Sequence, residues 1–294
     1  MGKNQLNGIL ALMRPAHYIK NLFVILPLFF SGRISDLQLF ENSLLALVSY
    51  CLIASSVYIF NDIIDIDEDR IHPQNKKRPI ASGTVSVRLA YLLDVSFSLA
   101  GLLIAWQVNI KLFYVVIGYK FLNIVYTLII KKIAIMDVMV LSLGFVIRLF
   151  AGAVTTGVHL TEWIIIMTYL LSLLIVLGKR RNDVIIFEQQ DIVLRKVVNG
   201  YNSLFLNQVM VLLSSVIIVA YIMYTVSPEI HSRLGTEYLF VTVFWVVAGV
   251  LRYLQLLFVF KANDNPVRLF LKDNPLKLIM LAWFLNFFYF LYLH

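Results

Sequence analysis

Residues 44–65 read Leu44-Leu45-Ala46-Leu47-Val48-Ser49-Tyr50-Cys51-Leu52-Ile53-Ala54-Ser55-Ser56-Val57-Tyr58-Ile59-Phe60-Asn61-Asp62-Ile63-Ile64-Asp65. No charged side chain interrupts the chain from Asn42 to Asn61. A run of roughly 20 apolar residues is what a helix needs to cross a hydrocarbon core of about 30 Å. The stretch therefore predicts a transmembrane helix whose last turn delivers carboxylates to one membrane surface. Further acids follow at once, in Ile66-Asp67-Glu68-Asp69-Arg70.

Outward from this segment the pattern repeats. Nine spans are predicted, near 17–32, 42–62, 87–107, 111–130, 135–157, 161–178, 203–226, 236–260 and 275–293. Of the 294 residues 60% are hydrophobic and 14% charged, against about a quarter charged in soluble domains. Backbone groups in lipid must be satisfied within their own segment, which selects helices. The runs are too long and too evenly apolar for barrel strands. The expectation is an all-α polytopic membrane bundle, 1–294 forming one transmembrane domain, without a cleaved signal peptide. The lone Cys51 lies inside the second span and is read as a small core residue.

Alternation of the connections gives one side only Arg33, Lys111 and Arg233, and the other side the remaining bases that flank the spans. The positive-inside rule then places the N-terminus in the cytoplasm and, after nine spans, the C-terminus outside. The net charge of +8 follows largely from this bias and requires no nucleic acid. The long polar segments, from Asp65, Lys179 and Lys261 onward, fall on the cytoplasmic side, so chemistry is expected there.

At 100° per residue Asp62, Asp65 and Asp69 fall within about 60° of one another if the helix continues, with Asn61 beside them and Asp67 about 140° from Asp62. Three carboxylates on one face repel each other unless a cation sits among them. Magnesium suits such a site, because it takes a few carboxylates and leaves room for water and phosphate oxygens. Lys76-Lys77-Arg78-Pro79 follows, and bases next to a metal-binding stripe fit a metal–diphosphate ligand. A merely solvated acidic helix end has no reason to keep its acids on one face. Two further stripes lie within spans: Lys120, Asn123, Thr127 and Lys131 within about 80°, and Asp137, Gly144 and Arg148 within about 40°. Buried ion pairs that only fix packing are the bland alternative for both. Lys179-Arg180-Arg181-Asn182-Asp183 closes the sixth span. Asp94 and Arg252 stand isolated and are read as structural. No Gly-rich phosphate loop, nucleophile elbow or Cys/His ligand set is found.

Asn61-Asp62-x-x-Asp65-x-x-x-Asp69 resembles the first aspartate motif of the UbiA superfamily of intramembrane prenyltransferases. Its decaprenyl-phosphate phosphoribosyltransferase branch is the nearer match, on Arg14-Pro15-Ala16-His17-Tyr18-Ile19-Lys20-Asn21, His72-Pro73 through Arg78-Pro79-Ile80-Ala81-Ser82-Gly83, Asn123-x-x-Tyr126-Thr127 with Lys131, and Lys179-Arg180. The resemblance implies nine helices around a central cavity open to the cytoplasmic side of a bacterial-type plasma membrane. It implies phosphoribosyl pyrophosphate as donor, a polyprenyl phosphate as acceptor and Mg2+ as cofactor, in a transfer that feeds cell-envelope polysaccharide synthesis. Asn61, Asp62, Asp65 and Asp69 would hold the metal. Lys76, Lys77, Arg78, Lys131, Asn123 and Tyr126 would surround the donor diphosphate. Lys20, Arg148, Lys179, Arg180 and Asp183 would face the acceptor phosphate or serve as the second motif. That second motif departs from the family pattern: it is basic first, with one carboxylate, where prenyltransferases carry a second Asp-rich signature. Two other readings compete. An aromatic prenyltransferase shares the fold, metal and leaving group, and a transporter would use the embedded charges as a path, although no internal repeat is found.

Overall fold

The computed structural model describes residues 3–71, 75–190, 196–260, 269 and 272–293, and these are helical with short connections. Nine segments among them are long and apolar enough to span a membrane: Gln5–Phe30, Leu37–Ile64, Val87–Val108, Ile110–Leu128, Met136–Thr156, Glu162–Gln189, Ser203–Thr225, Tyr238–Phe258 and Asn274–Tyr292. The nine expected spans are present. The chain packs as two compact units, one ending at Leu160 and the other starting at Thr161. His72, Pro73 and Lys261 of the sequence reading lie outside the described residues.

In the first unit, α1 (Lys3–Met13) leads through a ten-residue 3-10 stretch, Pro15–Val24, into α2 (Leu26–Phe30). The first span therefore begins earlier than position 17, and Arg14 is an interior residue. It holds φ 53° and ψ 56°, a left-handed conformation uncommon for a side-chain-bearing residue. Runs of 3-10 helix beyond three or four residues are also uncommon. α3 (Leu37–Ile64) is capped by Asp36, which accepts from the Leu39 amide at 3.2 Å. Its 28 residues extend about 42 Å at 1.5 Å per residue, so it outruns the hydrocarbon and carries its acidic end to the surface. α4 (Ile66–Ile71) follows, then α5 (Val87–Val108), α6 (Ile110–Leu128) and α7 (Met136–Thr156).

Small residues let these helices approach closely, as expected where lipid provides no hydrophobic drive between helices. Ser49 Oγ donates to the Gly101 carbonyl at 2.7 Å, and the Ser56 and Ser98 hydroxyls meet at 2.8 Å, joining α3 to α5. Gly152 of α7 lies so near the 3-10 stretch that an added Cβ would collide with the Val24 carbonyl oxygen and stand 2.8 Å from its carbon. Asp94 is not isolated: it pairs with Lys120 at 3.3 Å, and Lys120 also donates to Ser98. The fourth-span stripe is thereby divided, its upper lysine serving α5–α6 packing.

In the second unit, α8 (Glu162–Gln190) continues well past its apolar run, because nothing in Lys179–Asp183 breaks a helix. α9 (Ser203–Thr225), α10 (Pro228–Leu234), α11 (Val243–Phe258) and α12 (Asn274–Tyr292) complete it. Arg252, also read as isolated, pairs with Asp273 at 2.7 Å, and Asp273 caps α12 by accepting from the Leu276 amide at 2.8 Å.

Candidate functional site

The acidic motif keeps its register across a local break. α3 ends at Ile64, yet the Asp65 amide reaches the Asn61 carbonyl at 3.0 Å and the Asp69 amide reaches the Asp65 carbonyl at 2.8 Å. The i→i−4 spacing survives, so Asp62, Asp65 and Asp69 share a side. Asp62 and Asp69 are only 2% and 3% exposed. The Asp67 side chain, 90% exposed, turns outward to Arg70 at 3.6 Å.

Each carboxylate of the stripe meets a cation. Asp62 Oδ1 accepts from Arg14 Nη2 at 2.6 Å and from Arg78 Nη1 at 3.0 Å. The same Arg78 nitrogen donates to Asp69 Oδ2 at 2.7 Å, while Asn75 donates to Asp69 Oδ1 at 2.9 Å. Lys131 pairs with Asp65. Asn61 Oδ1 accepts from Thr127 Oγ1 at 3.3 Å. Burial pushes the Asp69 carboxyl above its ordinary range, further aided by the Asp62 charge, and the Arg78 guanidinium only partly offsets it.

A second polar cluster lies within the same unit. Arg148, 5% exposed, donates from Nε to Asn21 Oδ1 at 2.8 Å, from Nη1 to the Gly144 carbonyl at 2.7 Å and from Nη2 to the Tyr119 hydroxyl at 2.7 Å. Its guanidinium stands 4.8 Å from the ring centre of Tyr119 and 5.5 Å from those of Tyr50 and Phe145. Arg148 and Asp137, which share a face in the sequence reading, are both buried without pairing with each other. Lys20 is half-buried on the same 3-10 stretch as Asn21.

The other expected residues are dispersed. Lys76 and Lys77 are exposed on the 3-10 turn Asn75–Lys77 and touch none of the three carboxylates. The Asn123 amide donates to the Tyr119 carbonyl at 2.8 Å, and Tyr126 is buried one turn further along α6. In the second unit, Lys179 is exposed on α8, and Arg180 pairs with Asp183 at 2.9 Å. Sequence reasoning assigned no role to Arg14, Asn21, Asn75 or Thr127. The Arg14-Pro15 dipeptide was a signal for the first, since a base inside an apolar stretch needs a partner.

Magnesium fits the donor chemistry. Among the described residues no three acids, histidines or cysteines already stand as a metal shell. Oxygens of Asp62 and Asp69 nonetheless converge on one Arg78 nitrogen, so two hard donors already focus on a single positive point.

Comparison with known proteins places this geometry in context. Residues 22–180 match the UbiA prenyltransferase family. The decaprenyl-phosphate phosphoribosyltransferase of Mycolicibacterium smegmatis is 31% identical over 96% of this chain and 91% of its own length. The protein of the same name from Mycobacterium tuberculosis is 30% identical over 95% of this chain and 93% of its own length. A UbiA homologue from Archaeoglobus fulgidus, solved with DMAPP and Mg2+, superposes with a TM-score of 0.71 over 96% of this chain and 98% of its own, at 20% identity. That likeness concerns the fold.

Proposed function

The chain belongs to the UbiA prenyltransferase family, and from that premise we propose that it is a magnesium-dependent polyprenyl-phosphate phosphoribosyltransferase. It moves 5-phosphoribosyl from phosphoribosyl pyrophosphate to a decaprenyl-type phosphate, releases diphosphate and supplies cell-envelope polysaccharide synthesis. The observation that carries the reading is the mixed charge of the acidic end, where Arg14, Arg78 and Lys131 stand on Asp62, Asp65 and Asp69. A site for acids alone would leave the bases elsewhere. The names of the full-length relatives support the donor and the acceptor.

Asn61, Asp62, Asp65 and Asp69 would hold the metal, which when bound neutralises the departing diphosphate. Arg14, Arg78 and Lys131 turn from the carboxylates to the diphosphate oxygens as the ligand enters. Asn123 and Tyr126 contribute polar edges, and Lys76 and Lys77 draw the anion from solvent. The anomeric C–O bond breaks toward the diphosphate while an oxygen of the acceptor phosphate bonds to the same carbon. Electrostatic stabilisation of that charge separation carries the rate, and an acceptor already anionic needs no strong general base. Lys20 and Arg148 in the first unit, with Lys179, Arg180 and Asp183 in the second, are assigned to phosphate recognition. The whole chain acts as one transmembrane domain, in a bacterial-type plasma membrane, with its chemistry on the cytoplasmic face.

The test is turnover by the purified protein in detergent. One reaction receives magnesium, labelled phosphoribosyl pyrophosphate and a polyprenyl phosphate, and a parallel one receives a prenyl diphosphate with 4-hydroxybenzoate. Metal-dependent label in the lipid of the first is expected, and EDTA should remove it. Product in the second alone would replace the phosphoribosyl reading with aromatic prenyl transfer.

A further inference from the structure

One buried ion pair of the first unit takes no part in the acidic site. Lys120 of α6 pairs with Asp94 of α5 at 3.3 Å and also donates to Ser98, whose hydroxyl meets that of Ser56 on α3 at 2.8 Å. Asp94 and Ser98 are each 7% exposed, and Ser56 is fully buried. Three helices thus share one polar node inside the span. Charged side chains at such depth are costly, and well-packed apolar residues in place of a buried pair are often as stable or more so. Stability alone gives no reason to keep this one.

Its place along α6 supplies a reason. Leu112, Val116 and Tyr119, which α6 adds to the apolar core, all precede Lys120, and the Tyr119 ring stands 4.9 Å from that of Tyr50 on α3. Beyond them Tyr126 and Thr127 are the buried residues of α6, and polar contacts join this end to α3. Thr127 donates to Asn61 at 3.3 Å, and Lys131, just past the helix, pairs with Asp65. Thr127 stands two turns on from Lys120 and about 20° round the helix. A slip of one residue would turn α6 by about 100° and carry Thr127 and Lys131 away from their partners. Hydrogen bonds are directional, so a charged node two turns below fixes the rotation and height that these contacts need.

We propose that Lys120, paired with Asp94, is a positioning residue for the transfer: it sets the register of α6 against α3 and α5, and through it the place of Thr127 and Lys131 beside Asn61 and Asp65. Lys120 touches none of the three carboxylates of the acidic motif and acts on the donor side through Lys131. The proposal rests on the transferase reading for what the acidic end binds; the register itself is a property of the three helices.

The experiment compares purified full-length wild type with the double variant Asp94→Leu, Lys120→Met, which leaves no buried charge unpaired and should melt no lower than wild type. Calorimetric titration with magnesium pyrophosphate should show binding weakened roughly tenfold, the scale of one charge-assisted hydrogen bond. The KM for phosphoribosyl pyrophosphate should rise by a similar factor while that for the polyprenyl phosphate stays. Lys120→Arg, which keeps the charge, should bind like wild type. A pair that served packing alone would move the melting temperature and leave the ligand constants of the folded protein unchanged. The register is read directly from the rate at which Asn61→Cys and Thr127→Cys, in a Cys51→Ser background, form a disulfide under mild oxidation. Adding the double variant should slow that rate. Unchanged pyrophosphate binding, or a disulfide that forms as fast as with the pair intact, would overturn the proposal. Absence of pyrophosphate binding to wild type would remove the transferase reading separately, and the disulfide rate would still decide the register.

Discussion

Arg78 donates through one nitrogen to two carboxylates, and this bears on what each acid contributes without ligand. Asp69 has a carboxyl raised by burial more than Arg78 and the Asn75 hydrogen bond lower it. A raised acid contributes stability that is full below its unfolded value of about 3.9 and is lost as pH rises through the folded value. At neutral pH the ionised side chain therefore costs the metal-free fold something. Asp69→Asn should raise the melting temperature of protein kept in EDTA, measured by thermal scanning at pH 7, yet reduce transfer by at least a hundredfold. Asp67→Asn, whose carboxylate faces outward to Arg70, should leave the melting temperature unchanged and transfer within about twofold. Lower thermal stability in Asp69→Asn would mean that Arg78 outweighs burial after all. The spacing of these acids was legible because positions three and four apart share a helix face. Their counter-ions were less so. Arg14 reaches Asp62 from 48 residues away, and Arg148 found Asn21 and Tyr119 instead of the acid on its own helix. One-dimensional periodicity cannot show which stripe faces which.

At the scale of elements, long apolar runs gave the spans, because lipid demands them of any sequence. The ends were less legible, since helix propensity continues where hydrophobicity stops: α8 passes through Lys179–Asp183, and α3 extends beyond both predicted limits. Gly152 gave no sign of its role, although it lets the 3-10 stretch carrying Lys20 and Asn21 lie against α7. Gly152→Ala should cost about 1–3 kcal/mol through overpacking, whereas Gly118→Ala, with nothing within 4 Å of its Cβ, should be neutral or stabilising by up to about 1 kcal/mol. Chemical denaturation in mixed micelles gives both values, and equal effects would refute the close approach. In the second unit the Arg252 partner and the Leu276 cap hold the Asp273 carboxyl below the ordinary carboxylate range. A depressed acid contributes stability above its unfolded value of about 3.9 that is lost as pH falls through the folded one. Asp273→Asn keeps a capping side chain but not the ion pair. Its melting temperature should fall less steeply than that of wild type as pH drops below about 4, and parallel curves would count against the pair.

For the whole molecule, the wealth of exposed Leu, Ile, Val and Phe along the spans is the surface that lipid covers, and only charge between the spans orients it. The bases cluster on the connections that also carry the acidic motif, while Arg33, Lys111 and Arg233 alone occupy the others. A water-soluble sugar diphosphate made in the cytoplasm must reach Asp62, Asp65 and Asp69 from that side, so topology and function make one prediction. Lys76 is exposed beside the motif, and Ser232 is exposed on α10 between the seventh and eighth spans. In a Cys51→Ser background that removes the lone native thiol, Lys76→Cys should react with a membrane-impermeant maleimide only in inverted vesicles. Ser232→Cys should react only in intact cells or right-side-out vesicles. The reverse pattern would place the acidic motif on the outer face, where no cytoplasmic donor arrives, and would remove the phosphoribosyl reading together with the orientation. Labelling of Lys76→Cys should also slow when magnesium and phosphoribosyl pyrophosphate are added together, because the filled diphosphate site lies against the turn that carries it. Protection by magnesium pyrophosphate but not by ribose 5-phosphate would assign that effect to the acidic site.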